Sequence, residues 1–245
     1  MGSTIEDFSF KALLATLPRG EPLDVTFLKE KGLSPAHASH LAKAGWLDHL
    51  GRGAYMLPGD TLTRDGCLAL LMRRYPGLHV GGKTALDWRG TRHNISFRQS
   101  VNLWGEGQVQ VPAWLSERVP CTYQCTRLFD RPHDATIKAL PNGHPDVMVS
   151  VPERALLEML SDVGKLVTLE DARSIVESLH SLRTSVLENL LQSTQRIKVV
   201  RLARTLAEDL NLPWAALART VSEKKGGGTR WIAVSKSGER LALKR

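Results

Sequence analysis

The sequence predicts an α+β protein, with an N-terminal winged helix-turn-helix followed by a larger mixed C-terminal domain of short β-strands and a helical layer. Three observations predict it. Residues 24–58, DVTFLKEKGLSPAHASHLAKAGWLDHLGRGAYMLP, carry helix start and stop signals spaced for two short helices and a hairpin. Residues 100–150 break into short β-like runs punctuated by Pro and Gly. Leucine-rich helical patterns follow.

The first helix takes Asp24 as its cap and stops at Gly32, where a positive φ is wanted. Ser34 caps the second, and Pro35 at the first helical position loses no hydrogen bond. That helix ends at Gly45, and Trp46–Leu50, a Gly51-Arg52-Gly53 tip and Ala54–Leu57 form a hairpin, the wing. Phe10, Leu13, Leu14 and Leu17 recur at helical spacing and supply a third helix to close the core. At 100° per residue, Ala38, Leu41 and Ala42 share the inner side of the second helix. Ser39, His40 and Lys43 fall on the outer side, with His37 at the border. In a helix-turn-helix the second helix enters the major groove. The candidate DNA-binding residues are therefore Ser34, His37, Ser39, His40, Lys43 and Arg52. A three-helix packing module that binds no DNA is the alternative reading of the same pattern.

Thr63–Arg74 reads as a helix, His79-Val80-Gly81 as a short strand, Lys83–Trp88 as a helix, and Arg89–Arg98 as a basic loop. β-like runs follow at Val101–Trp104, Gln108–Val111, Val119–Phe129, Thr136–Leu140 and Val147–Val149. Ser150-Val-Pro-Glu153 has the spacing of a capping box and opens a helix through Leu160, and Thr168 opens another. Helices then run to Leu191 and over Arg196–Leu210, and the tail after Gly226-Gly227-Gly228 reads as a hairpin turning near Ser237-Gly238. The division expected is 1–60 for the winged helix, 61–98 for a helical and basic connecting segment, and 99–245 for the C-terminal α+β domain.

The 245-residue chain carries a formal charge of +8, unevenly spread. Residues 1–60 hold six Lys/Arg and seven Asp/Glu, whereas residues 196–245 hold twelve and four. The excess points to an anionic partner. The reader itself is near neutral, so cations of the connecting segment (Arg64, Arg73, Arg74, Lys83, Arg89, Arg92, Arg98) are expected to help hold a DNA backbone. Lys198, Arg201 and Arg204 share one face of the Arg196–Leu210 helix, opposite Val199, Leu202, Leu206 and Leu210. They form a possible basic patch or an ordinary solvated face. No run of eighteen apolar residues marks a membrane span, and three cysteines fit a reducing cytoplasm.

Two patterns invite chemistry. Gly77–Thr84, GLHVGGKT, satisfies the phosphate-loop pattern, which needs a buried strand feeding a glycine-rich turn at a helix N-terminus. Here a charged helix ending in Tyr75-Pro76 precedes it, and no later strand offers a Mg²⁺-binding Asp. A nucleotide-binding protein or enzyme using this loop is the alternative function. Cys121 and Cys125 are spaced four apart on a strand, roughly 13 Å, too far to chelate together. His37 and His40, one helical turn apart, have no third ligand near. Neither an enzyme, a cofactor nor a metal is expected.

The winged helix with LAKAGWLDHLGRGAYML, then HVGGKTALDWRG, NLWGEG, SVPERALLEML and RIKVVRLARTLAEDLNLPW, in that order, resembles the AbiEi-type antitoxins of type IV toxin–antitoxin systems, linked to abortive phage infection. The resemblance implies a winged helix that binds inverted repeats in its own promoter and represses it. It also implies a C-terminal domain that helps counter a nucleotidyltransferase toxin, with no stable complex required. It makes HVGGKT a strand-to-helix step.

Overall fold

Local chemistry sets the first elements of the computed structural model, which describes residues 12–91 and 100–226 and the backbone of two strands, Ile232–Val234 and Arg240–Ala242. Residues 12–16 form α1, and Leu13 and Leu14 pack on the core while Leu17 is buried behind them. Phe10 lies outside the described residues. Asp24 ends a two-residue strand, β1 (Leu23–Asp24), and caps α2 (Val25–Glu30): its Oδ1 accepts the Phe27 N–H at 2.8 Å. Gly32 and Gly45 both adopt positive φ, +87° and +79°, and so end α2 and α3 (Pro35–Lys43) cleanly. Ser34 caps α3, accepting the His37 N–H at 3.2 Å. The wing is β2 (Asp48–Gly51) and β3 (Ala54–Met56), and β1 pairs with β3 to give a three-stranded sheet of order β1-β3-β2. Leu23, Leu28, Leu33, Ala38, Leu41, Leu47, Tyr55 and Leu57 fill the core beneath.

Two compact units divide the chain. The first joins residues 1–76 to 109–120 and 142–147. It thus adds α4 (Arg64–Arg74) and α6 (Ala113–Arg118) to the winged helix, instead of leaving residues 61–76 as a connector. α4 is capped by Thr63, which accepts the Gly66 N–H at 3.0 Å, and is buried from Gly66 to Met72. Glu21, Arg73, His144 and Asp146 tie the returning segment down, with Arg73–Glu21 at 2.9 Å, Arg73–Asp146 at 2.8 Å and His144–Glu21 at 2.8 Å.

The second unit holds a mixed five-stranded sheet and a helical layer. Its strands are β4 (His79–Val80), β5 (Val101–Gly105), β6 (Cys121–Cys125), β7 (Ile137–Ala139) and β8 (Met148–Ser150), in the order β6-β5-β4-β8-β7. β5 and β6 run parallel, as do β4 and β8; the other pairs are antiparallel. The helices are α5 (Gly82–Trp88), α7 (Pro152–Ser161), α8 (Leu169–Glu177), α9 (Thr184–Ser193), α10 (Ile197–Asp209) and α11 (Ala215–Lys225). α7 is the hub, packing on α5, α9 and α10, with Leu156, Leu157, Met159 and Leu160 fully buried. β9 (Ile232–Val234) and β10 (Arg240–Ala242) pair antiparallel; the turn near Ser237-Gly238 lies outside the described residues.

Two sequence expectations fail here, and one helix has no counterpart among them. Gln108–Val111 is not a strand: it is coil leading to Pro112, which opens α6. Ser150 is not an N-cap, because α7 starts one residue later from Val151. The Ser150 hydroxyl donates instead to Glu158 Oε2 at 2.8 Å, and Glu153 binds Arg183. Residues 215–225, assigned no helix from sequence, form α11.

Candidate nucleic-acid interface

α3 is held by its inner face and exposed on its outer one. Ala38 is fully buried and Leu41 nearly so, while Ser34, His37, Ser39, His40 and Lys43 are all exposed. The Ser34 hydroxyl is committed to the cap. Lys43 and Arg52 make no ion pair among the described residues, so both charges are available to a ligand. In the wing, His49 faces Tyr55 across the strands, rings edge-to-face at 5.5 Å, and the register slips between His49 and Gly51. That irregularity places Arg52 at the tip of the turn. The arrangement gives a helix with a polar outer face and a wing with a basic tip, the parts that contact bases and backbone in winged-helix readers.

Of the seven other cations expected to hold a backbone, three are already used. Arg73 bridges Glu21 and Asp146, and Arg64 pairs with Asp65. Arg89 donates to the carbonyls of Ser150, Val149 and Lys138. Arg92 and Arg98 lie outside the described residues. Among the described residues, Arg74 keeps only a long contact, 3.5 Å, to Asp24.

The Lys198–Arg201–Arg204 patch is corrected. Arg201 is 2% exposed. Lys198 donates to the Val163 carbonyl, and burial, with Lys165 and Arg196 beside it, lowers its ammonium below the ordinary range. Arg204 is committed to Glu208 at 3.1 Å and Glu223 at 3.4 Å. The apolar side matches the spacing, with Val199, Leu202 and Leu206 buried, although Leu210 is only half-buried. The polar side fails because α10 lies inside a layer, packed on α7, α8 and α11. An amphipathic pattern does not say what covers its polar face.

GLHVGGKT does make the strand-to-helix step, β4 into α5, but a carboxylate of the chain itself occupies the helix N-terminus. Glu158 Oε2 accepts the Gly82 N–H at 3.0 Å, and its Oε1 meets His79 Nε2 at 2.9 Å and Arg154 Nε at 2.7 Å. A Cβ at Gly81 would sit 2.4 Å from that carboxylate. Burial alone would raise the Glu158 carboxyl; His79 and Arg154 outweigh it and hold it down at about 2. The site is an anion hole filled from within, which leaves no cradle for a nucleotide phosphate.

Two family models match the chain in series. "Transcriptional regulator, AbiEi antitoxin N-terminal domain" covers residues 6–97, and "Transcriptional regulator, AbiEi antitoxin, Type IV TA system" covers residues 98–243. The chain belongs to the AbiEi family of type IV antitoxins. No curated protein matches it in sequence. Among solved structures, that of the RV2827C protein from Mycobacterium tuberculosis is similar in fold, with a TM-score of 0.60 at 16% identity, over 90% of this chain and 81% of that one. Among the described residues of this AbiEi protein, no helix is long and apolar enough to cross a membrane, and no group of His, Cys, Asp and Glu could hold a metal ion.

Sequence reasoning missed one residue beside the wing, Trp114, while it counted its neighbour Arg74 only among the backbone-holding cations. Trp114, on α6, lies against Gly51, where an added Cβ would come 2.5 Å from the indole Cδ1. Arg74, at the end of α4, lines a groove together with Gly51 and Trp114. The glycine at Gly51 was the one available signal, since a wing strand otherwise has no need of it.

Proposed function

We propose that this chain is a DNA-binding autorepressor and antitoxin. Its first unit binds double-stranded DNA at inverted repeats in its own promoter, with α3 in the major groove and the wing on the backbone. Ser39, His40 and Lys43 face base edges or phosphates, His37 lies at the margin, and Arg52 reaches a phosphate or the minor groove. The partner countered is a nucleotidyltransferase toxin, without a stable complex between the two. Membership of a family of transcriptional regulators supports this reading. The observation that carries it is the outward row Ser39, His40 and Lys43 on a helix whose other face is sunk in a core. A footprint of the full chain on the DNA upstream of its own gene tests it. Protection of paired inverted half-sites is expected; uniform or absent protection overturns the repressor reading. Co-expression with a nucleotidyltransferase toxin tests the antitoxin part, through rescue of growth. Lys83→Ala separates the enzyme alternative, which requires that this change abolish nucleotide binding.

A further inference from the structure

A groove of about 780 Å³ runs beside the wing, and all its walls belong to the first unit. One wall is Leu50, Gly51 and Arg52; the other is Arg74, Tyr75 and the segment from Gln110 to Glu117. We infer that this groove takes the sugar–phosphate backbone of DNA flanking the stretch read by α3, with Arg52 and Arg74 as its phosphate ligands. The inference rests on the DNA-binding reading above and adds to it a second contact region.

Charge is the first argument. A DNA reader needs several phosphate contacts, yet α3 offers one Lys, and residues 1–60 carry no net positive charge. Arg64 and Arg73 are tied to carboxylates at 2.8–2.9 Å. Arg74 is not: its contact with Asp24 is 3.5 Å, and Asp24 is already serving as a helix cap through its other oxygen. Arg74 can therefore turn to a phosphate without uncovering a buried carboxylate's last partner. Two guanidiniums line the groove against one carboxylate, Glu117.

Shape is the second. Small-molecule sites enclose their ligand among apolar groups. This groove is open, and its lining is mainly polar. In the second wall the Tyr75 hydroxyl donates to the Gln110 carbonyl at 3.2 Å and accepts the Gln110 N–H at 3.3 Å, so these groups need no ligand. A linear polyanion lying along the groove fits such walls; an enclosed metabolite does not. Trp114 fixes the width, because its indole occupies the space a side chain at position 51 would fill. Trp114 is thus a positioning residue: it sets where Arg52 stands relative to Arg74.

The test measures anisotropy of labelled duplexes from the chain's own upstream region over a range of salt. One duplex includes flanks; the other is trimmed to the α3 footprint. Arg74→Gln should weaken binding to the long duplex several-fold and lower the log–log salt slope by about one, with little effect on the trimmed duplex. Arg74→Lys should keep the slope. Glu117→Gln, at an exposed position, should tighten binding to the long duplex. If Lys43→Ala weakens binding while Arg74→Gln and Glu117→Gln leave affinity and slope unchanged, the groove inference is overturned and the DNA reading stands. Equal loss on both duplexes for Arg74→Gln also overturns it. If the wild-type chain shows no preference for its upstream DNA, the underlying reading fails first.

Discussion

The Gly82 N–H donates to Glu158 Oε2, and the carboxylate lies where a phosphate-loop protein would hold its ligand. The resemblance of GLHVGGKT to a nucleotide site thus has a physical basis. Both need glycines so that an anion can approach a helix N-terminus, but here the anion is covalently part of the fold.

Glu158→Gln should therefore destabilise the chain by about 3–5 kcal/mol, since Arg154 and the Gly82 N–H would lose the charge they surround. The pH dependence has a definite sign. The carboxyl is held at about 2 in the folded state against an ordinary 4.5, so the unfolded chain takes up the proton first as pH falls. Its stabilisation is complete above about pH 5 and is lost as pH drops towards 2. Urea melts from pH 7 to pH 3 should show this slope in the wild type and a shallower one in Glu158→Gln.

Asp162 should behave in the opposite way. It is 2% exposed, and its Oδ2 has no hydrogen-bond partner among the described residues. Burial pushes its carboxyl up to about 6, a rise that Lys165 moderates. The folded state thus holds the proton more tightly, and stability falls as pH rises from about 4 to 6. Asp162→Asn should stabilise the protein at pH 7–8 by on the order of 2 kcal/mol, with the gain gone near pH 4. Thermal melts at the two pH values decide it.

At the DNA face, Lys43→Ala and Arg52→Ala should each weaken promoter binding and flatten its salt dependence by about one unit of slope. Melting temperatures should hold, because both side chains are exposed. Titrations at three or more salt concentrations give the slope, and unchanged slopes for both variants would remove this face from the interface.

Gly51→Ala should disturb the wing without touching a DNA ligand, because its methyl group would collide with Trp114. Weaker DNA binding is expected, and Trp114→Ala in the same chain should recover part of it. A double-mutant cycle on affinity should give a coupling of about 0.5–3 kcal/mol, and additivity would show the contact to be idle.

On α10, charge reversal at Arg201 should unfold rather than report on a surface. A glutamate there would be an uncompensated buried charge, costing about 3–5 kcal/mol, comparable to Leu206→Ala with its cavity cost of about 2–5 kcal/mol. Circular dichroism melts of the two variants should show similar losses.

The winged helix was legible because its signals are local. Asp24, Gly32, Ser34, Pro35 and Gly45 each specify a cap or a turn within a few residues, and the structure uses each one. The α10 patch was misread because its partners, Glu223 on α11 and the Val163 carbonyl, are distant in sequence. Ser150 was misread for a related reason: it had a capping role available nearby, but a buried carboxylate eight residues on took its hydroxyl. The Trp114–Gly51 contact joins positions sixty-three apart, and no periodicity announces it.

The crossover from β5 to β6 leaves the second unit's sheet, contributes residues 109–120 to the first unit, and returns. The first unit, proposed to read DNA, is therefore not a contiguous piece of the gene. A ribosome must deliver residue 147 before the first unit has all its parts, so the nominally N-terminal module cannot be finished first during synthesis. Chimeras that exchange readers between relatives by a single splice near residue 97 would separate Gly51 from its own Trp114. A working exchange needs three inserts, 1–76, 109–120 and 142–147, moved together.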